Sequence, residues 1–484
     1  MLTETKLKQA KSFLFGTIAL SIFLFPLFYV MKGVFPVYDD YWFANVVSEN
    51  GFGGAQLWWR EHATGRYIST WLNSIAYYSI HNLFIHRLLL TLILLFFIVS
   101  VYKFFQKFCL HFFNMNTLSI FLVSLFVITF YYTNLVGFSE FVFWLPGAST
   151  YALSAALLGV FTAVLFFQKP QKPVQRFLYL CLTGFFICGT SEIGSISALG
   201  SFVFYFFLPL STNRLQVKRL LISAEFLSFL VVSIFFFFLV FGAPGNALRM
   251  ESEKSVNNMA GDFLFALKYS GINLLRFLYN YFYVRQGWLL FVVAVIITLL
   301  YCEPLNHSSF SSKRFIRNYI GSQLIILMLS VFLFFTYHFS TGLNVMIPRA
   351  LSLIQFLWCL NIVISGMMVC YYLSYKLPDF NKTLFKNTGP ISITALALLL
   401  VMSSGNGNIA VLYKEIRSGI IACDQQYFQA QYNAFKNCKI DDVKAKAPSC
   451  KSITYVWDLS DEKFNTRYFA YYESLLCKTS TVKP

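Results

Sequence analysis

A chain of 484 residues that is 57% hydrophobic and only 12% charged, with 57 phenylalanines, lies outside the composition of soluble globular domains. Its formal net charge of +17 would point to nucleic acid in a soluble protein. In so apolar a chain the charge reads instead as basic loops kept on the cytoplasmic side of a membrane, and no nucleic-acid partner is expected.

Crossing the hydrocarbon core takes roughly 17 to 25 apolar residues in a helix, and about eleven runs qualify or come close. They fall at 12–31, 83–102, 117–136, 148–167, 177–190, 193–210, 220–241, 287–302, 318–337, 350–373 and 390–404. The stretch 177–190 is short enough to form part of a broken or re-entrant pair. Basic residues gather in alternate connections, among them Lys6, Lys8 and Lys11, Lys103 and Lys107, Arg214, Lys218 and Arg219, and Lys313, Arg314 and Arg317. That pattern places the N-terminus in the cytoplasm and the segment after the last span outside. The first run has no small-residue cleavage site after it and reads as a retained helix.

The outer side then receives the loop 32–82, where Trp58, Trp59, Trp71, Tyr67, Tyr77 and Tyr78 suit amphipathic helices in the interfacial belt. It also receives 137–147, the turn at Ser191 and Glu192, the segment 242–286 and the connection 338–349. Residues 405–484 turn polar and form a second unit after the membrane region 1–404. A helical stretch at 409–436, a strand at 452–459 and a final helix at 464–477 make it a small mixed α/β cap. The fold class is thus an all-α polytopic membrane protein with an outer C-terminal cap.

Charged groups at the end of an apolar bundle are costly and mark candidate function. Asp39 and Asp40 follow Pro36 where the first span meets the outer surface. One acid would suffice as a helix cap, so the pair Asp39 and Asp40 reads as a cap plus a second, inward-facing carboxylate. Glu140 and Glu192 are candidate partner carboxylates. Arg66, Arg249 and Arg349 break the positive-inside trend, and guanidinium forks match phosphate. Glu225, at the inner end of its span, reads as structural. "APGN" at 243–246 reads as a turn in which Gly245 permits positive φ. Metal dependence is not indicated, since the doublet lacks further ligands nearby, and no P-loop or dinucleotide fingerprint calls for a cofactor.

Taken together, "YDDYW", "GRY", "SEFVFW", the "SE" at the turn of a helix pair and "APGNALR" resemble the bacterial GT-C glycosyltransferases. Within that superfamily the chain is most similar to the serotype-converting O-antigen glucosyltransferases. The resemblance implies a GT-C-like bundle in the bacterial inner membrane and a polyprenyl-phosphate sugar as donor. It also implies an O-antigen or other lipid-linked or lipopolysaccharide glycan as acceptor on the periplasmic face, and an acid of the first outer loop as base. Trp42, Trp59 and Trp144 become candidate sugar platforms, and Trp457 and Asp458 candidate acceptor contacts. A lipid-linked-glycan flippase, or a ligase or polymerase using diphosphate-linked donors, is the rival reading; a flippase calls for polar residues deep in the spans and repeat symmetry.

The tail carries Cys423, Cys438, Cys450 and Cys477 in what is expected to be an oxidising compartment, which favours two disulfides over a metal site. Cys438 with Cys450 closes the shorter loop and leaves Cys423 with Cys477, each bridge contributing about 2–4 kcal/mol. Non-reducing peptide mapping of protein from its native membrane tests this: four free tail thiols refute both bridges.

Overall fold

A computed structural model describes residues 4–37, 39–167, 172–210, 223–301, 303–304, 312–376, 407–436 and 452–453. In chain order α1 (Glu4–Met31) leads to three helices of the first loop, α2 (Asp39–His62), α3 (Tyr67–Ser74) and α4 (Ala76–His81). Next come α5 (Leu83–Phe112), α6 (Thr117–Asn134), the short α7 (Phe138–Val142) and α8 (Leu145–Phe167). The helices α9 (Pro173–Thr190), α10 (Glu192–Leu210) and α11 (Ala224–Phe241) follow. Beyond them lie α12 (Pro244–Val256), α13 (Phe263–Tyr279), α14 (Gly287–Tyr301), α15 (Ser312–Thr341) and α16 (Pro348–Lys376). The tail contributes α17 (Asn408–Arg417) and α18 (Ile420–Lys436). Among the described residues the strands are β1 (Phe113–Asn114) and β2 (Glu303–Pro304), paired antiparallel with Phe113 opposite Pro304.

The chain is therefore a helical membrane protein. Six described helices, α5, α6, α8, α11, α15 and α16, are long and apolar enough to cross a bilayer, and Leu20–Met31, Glu192–Phe206 and Gly287–Ile296 are shorter apolar helical stretches. The described parts of the expected runs fall on helices, except at Ser223, the cap of α11, and at the end of 117–136, where α6 stops at Asn134; the run 390–404 lies outside the described residues. The expected helix 409–436 is broken at Ser418 and Gly419, where Gly419 takes a positive φ of 78° and ends α17. The strand 452–459, apart from Ser452 and Ile453, and the helix 464–477 lie outside the described residues.

Local sequence sets the ends of these helices. The side chains of Asn82, Asn116, Ser223 and Asp262 accept backbone N–H groups of Phe84, Ser119, Phe226 and Phe265, capping α5, α6, α11 and α13. Apolar burial drives little association between helices in lipid, so polar clasps and close contacts hold the bundle. Ser100 of α5 donates to the Ala156 carbonyl of α8. Between α15 and α16, Asn361 donates to Gln323 at 2.8 Å, Gln323 donates to Ser365 at 3.0 Å, and Trp358 donates to Ser330 at 2.9 Å. Arg176 of α9 pairs with Glu225 of α11 at 2.7 Å and donates to the Leu165 carbonyl of α8 at 2.7 Å, the structural role expected for Glu225.

The C-terminal end of α6 is where distant segments meet. Its Asn134 carbonyl accepts from Gln355 of α16 at 2.7 Å and from Arg285, while Asn408 of α17 donates to the carbonyls of Tyr132 and Leu135, each at 2.9 Å. Gln355 also accepts the Val136 N–H at 3.0 Å. The tail then runs along α1 and the approach to α2. Tyr413 donates to the Ile22 carbonyl, Gln425 to Val30 at 3.3 Å and Tyr432 to Ile80 at 2.6 Å, and Phe35 packs on Phe428 and Tyr432.

Two glycines decide close approaches at this end. Gly137 takes a φ of 67°, and a Cβ there would meet the Arg349 backbone nitrogen at 2.9 Å. Gly245, by contrast, lies within α12 without a positive φ, which corrects the expected turn. A Cβ on it would come within 2.3 Å of the Ala63 nitrogen, so what Gly245 supplies is room for the chain at Ala63 and Thr64.

The contrast with Gly271, a helical glycine of α13 with open space around it, gives a test of opposite signs. Gly271→Ala removes unfolded-state freedom without a clash and is expected to stabilise by about 0.5–1 kcal/mol. Gly245→Ala is expected to lower the thermal midpoint of the purified protein in detergent. A Gly245→Ala midpoint at or above that of the parent would show that α12 does not depend on this approach.

Candidate functional site

The acidic doublet opens α2. Asp40 is fully buried, and its Oδ2 accepts the Val37 N–H at 2.8 Å, the reach-back half of a capping box. Its Oδ1 is buried with no hydrogen-bond partner. Burial pushes this carboxyl well above the ordinary carboxylate range, against the Val37 bond, and the neighbouring Asp39 charge adds to the rise. Asp39 is only partly buried; desolvation raises it to about 7, with the Arg349 charge pulling the other way. Asp39 is thus the carboxyl of the doublet raised only to about neutral pH, while Asp40 caps the helix. The expected helix cap and the expected inward-facing carboxylate are thus one residue, Asp40, because the side chain that reaches back to a backbone N–H is the one the fold encloses.

Glu140 and Arg349 meet because Gly137 lets the start of α7 lie against the start of α16. Arg349 Nη1 stands 3.6 Å from Glu140 Oε2, and the guanidinium lies over the Trp144 ring, 5.0 Å from its centroid. The Arg349 backbone N–H, in the first turn of α16, also favours the charged form of this carboxylate. Burial lifts Glu140 above its usual range and Arg349 opposes the rise. Arg349 therefore pairs with Glu140 and stands within electrostatic reach of Asp39.

Glu192, the first residue of α10, holds the other two arginines. Arg66 Nε donates to Glu192 Oε2 at 2.7 Å, Arg249 Nη2 lies 3.4 Å from Oε1, and Thr64 donates to Oε1 at 3.5 Å. The turn before Glu192 is fixed by Ser191, whose Oγ accepts the Gly194 N–H at 2.9 Å and meets Ser154 at 2.8 Å. Contact of Gly245 with Ala63 and Thr64 brings Arg249 to the same carboxylate. The three arginines thus form two groups, Arg66 with Arg249 on Glu192, and Arg349 on Glu140.

Two residues that the sequence did not single out lie within electrostatic reach of these groups. Tyr151, in the first π-helical turn of α8, lies within electrostatic reach of Arg66. Tyr337, near the end of α15, lies within electrostatic reach of both Tyr151 and Arg349. Nothing in "GASTYALS" or "FFTYHFS" separates these tyrosines from other aromatic residues in apolar runs, so no sequence signal could have found them.

The tryptophans depart from expectation. Trp59 is 1% exposed and packs edge-on against Trp42 and Trp58, with Phe43 tilted on its ring. Trp144 is 2% exposed under Arg349. Neither presents a free face to a sugar, and Trp59 leaves the expected interfacial belt, while Tyr67 stays partly exposed with its hydroxyl donating to the Phe185 carbonyl at 2.6 Å. Trp42 is partly exposed, while Trp71 and Tyr78 are well exposed and suit the belt. Beside Arg66, Tyr67 and Ile68 line an apolar groove of about 400 Å³ with Gln56, Trp71 and Phe186.

In the tail Cys423 is disulfide-bonded, and its partner is not among the described residues. Cys438, Cys450, Cys477, Trp457 and Asp458 lie outside the described residues. Among the described residues no three His, Cys, Asp or Glu side chains gather in a way that could hold a metal ion. No protein-family model, curated protein or solved structure matches the chain, so the purpose of this cluster is read from its own chemistry.

Proposed function

We propose that the protein is a membrane glycosyltransferase that moves a sugar, glucose being the first candidate, from a polyprenyl-phosphate donor to an O-antigen or other cell-envelope glycan. In this reading it lies in the bacterial inner membrane with its N-terminus cytoplasmic and its C-terminal tail periplasmic. The observation that carries the proposal is Asp39: a partly exposed carboxyl whose pKa is raised to about 7 within electrostatic reach of Arg349, with two further arginines on Glu192 and an apolar groove that starts at Tyr67, the residue after Arg66.

Each feature answers a need of the reaction. A base is most effective when its pKa lies near the working pH, and Asp39 meets that condition. It takes the proton of the acceptor hydroxyl as that oxygen bonds to the anomeric carbon. The bond from the anomeric carbon to the phosphate oxygen breaks with its electron pair, and the polyprenyl phosphate leaves. Charge gathers on that phosphate, where arginines already in place lower the barrier without reorganising. Arg66 and Arg249 set two positive charges against the single carboxylate of Glu192, which leaves the group net positive. The groove beginning at Tyr67 suits an isoprenoid tail entering from the lipid, and Asp40 fixes the start of α2 so that Asp39 is presented.

Three outcomes are expected with purified protein in nanodiscs, radiolabelled polyprenyl-phosphate glucose and lipopolysaccharide. Asp39→Asn abolishes transfer, whereas Asp40→Asn lowers it through stability and leaves measurable turnover; wild-type rates in Asp39→Asn would sink the assignment of the base. Because ionised Asp39 is the active form, the rate rises with pH through a midpoint near 7. Arg349→Ala moves that midpoint upward by removing the charge that favours the carboxylate; an unmoved midpoint separates the two residues. Finally, Arg349→Ala and Arg249→Ala weaken use of the donor by about 1.5–3 kcal/mol each if a charge-assisted bond is lost. Arg249, 39% exposed, falls at the low end. Unchanged donor kinetics in both variants would reassign these arginines to anchoring lipid headgroups.

A further inference from the structure

The connection between α15 and α16 is held by side chains that reach its backbone. The carbonyls of three consecutive residues each accept a side-chain N–H: Asn257 donates to Gly342 at 2.7 Å, His338 to Leu343 at 2.7 Å and Asn273 to Asn344 at 2.8 Å. Further on, the Ile347 N–H donates to the Tyr337 hydroxyl at 3.3 Å, next to Pro348 and Arg349 in the first turn of α16. His338 is the centre of this clasp. Its ring is fully buried, stacked on Phe334 and edge-on to Tyr337. Nδ1 faces the Leu343 carbonyl oxygen, which only accepts, so Nδ1 carries the proton. Nε2 lies 3.1 Å from Asn273 Nδ2, whose orientation is fixed because the same amino group faces the carbonyls of Tyr269 at 3.0 Å and Asn344 at 2.8 Å. An amide nitrogen donates and does not accept, so Nε2 is the bare nitrogen. Two independent contacts thus select the same neutral tautomer.

We propose that His338 is a positioning residue: in its Nδ1–H tautomer it ties α13 to the connection ahead of α16 and so sets where Arg349 stands for a lipid-borne phosphate. The inference rests on the reading of Arg349 as part of a phosphate-lipid site and adds to it the residue that orders the chain before that arginine. Leu343, Asn344 and Val345 are exposed, so apolar burial does little to order this stretch and the side-chain bonds carry the task. Bridging Leu343 and Asn273 takes a rigid group with a donor on one edge and an acceptor on the other, which a neutral imidazole supplies. Arg349 in turn stands 3.6 Å from Glu140, longer than a good hydrogen bond, so the place of its guanidinium depends on how its backbone is held.

Two measurements on the full-length protein in nanodiscs of zwitterionic lipid, where no anionic headgroup competes, test this. Solid-state NMR with isotope-labelled histidine, the His338 signal being the one lost in His338→Asn, is expected to show a protonated Nδ1 and a bare Nε2; a proton on Nε2 would overturn the clasp. Binding of a polyprenyl monophosphate and, separately, of the uncharged polyprenol is then titrated. His338→Phe keeps a buried ring and loses both polar contacts, and it is expected to bind the phosphate about tenfold more weakly with polyprenol binding unchanged. Where His338→Phe does not fold, His338→Gln takes its place, keeping an acceptor for Asn273 and losing the bond to Leu343. His338→Asn, whose amide donates to Leu343 in place of Nδ1, is expected to recover most of the loss. In an Arg349→Ala background His338→Phe is expected to cost little more, because the histidine acts through that arginine. Wild-type phosphate affinity in His338→Phe, or an undiminished loss in the Arg349→Ala background, would overturn the positioning role and leave the site reading intact. Equal losses for phosphate and polyprenol would make His338 a packing residue. Failure of the wild-type protein itself to prefer the phosphate over the polyprenol would overturn the site reading, and this inference with it.

Discussion

A helix that ends inside a low-dielectric bundle leaves its last carbonyls without partners, and each one left unpaired costs several kcal/mol. The end of α6 is such a place, and the structure is organised around meeting that need. Gln355, Arg285 and Asn408 reach it from three segments remote in sequence. Gln355 lies within roughly two helical turns of Arg349, so satisfying the α6 carbonyls also fixes where α16 begins and where its arginine stands. The chain leaving α6 then turns at Gly137 and sets Glu140 against that arginine. The charged site is in this sense a by-product of closing a backbone ledger.

The same low dielectric governs the charges. Four carboxyl groups and three arginines occupy one end of the bundle, and they do not share a single fate. Glu192 has two cationic partners, Glu140 has one that it shares, and Asp40 has only a backbone donor. A buried carboxyl with no cation alongside is better neutral than charged, and for Asp40 the fold accepts that outcome. Asp39 lies between the extremes, partly open and within reach of Arg349. Small differences in surroundings, rather than any difference in side-chain type, distinguish two adjacent aspartates.

The sequence made much of this legible. Apolar runs located the helices because a lipid-facing helix has little choice of composition, and charge asymmetry located Asp39, Glu140, Glu192 and the three arginines at one end. What it could not resolve depended on three-dimensional contact. Which aspartate reaches back to Val37 is a matter of helix phase, and whether Gly245 serves a turn or a close approach depends on what packs beside it. Trp59 and Trp144 have the composition of sugar platforms, and only their neighbours show that their faces are covered. Tyr151 was hidden because a π-helical turn leaves no compositional trace.

The path of the tail has a consequence for biosynthesis. Its bonds to Ile22, Val30 and Ile80 span 391, 395 and 352 residues of sequence, and they brace the segment that leads into the acidic doublet. A chain emerging from a ribosome inserts α1 first and completes α18 only after the membrane helices described here have been made. Until then the approach to α2 lacks the contacts of Phe428 and Tyr432, and Asp39 lacks the frame that sets its surroundings. Contacts of such long range close late. The charged end thus matures as the final act of folding, so partly synthesised chains carry helices in the bilayer without carrying a finished site.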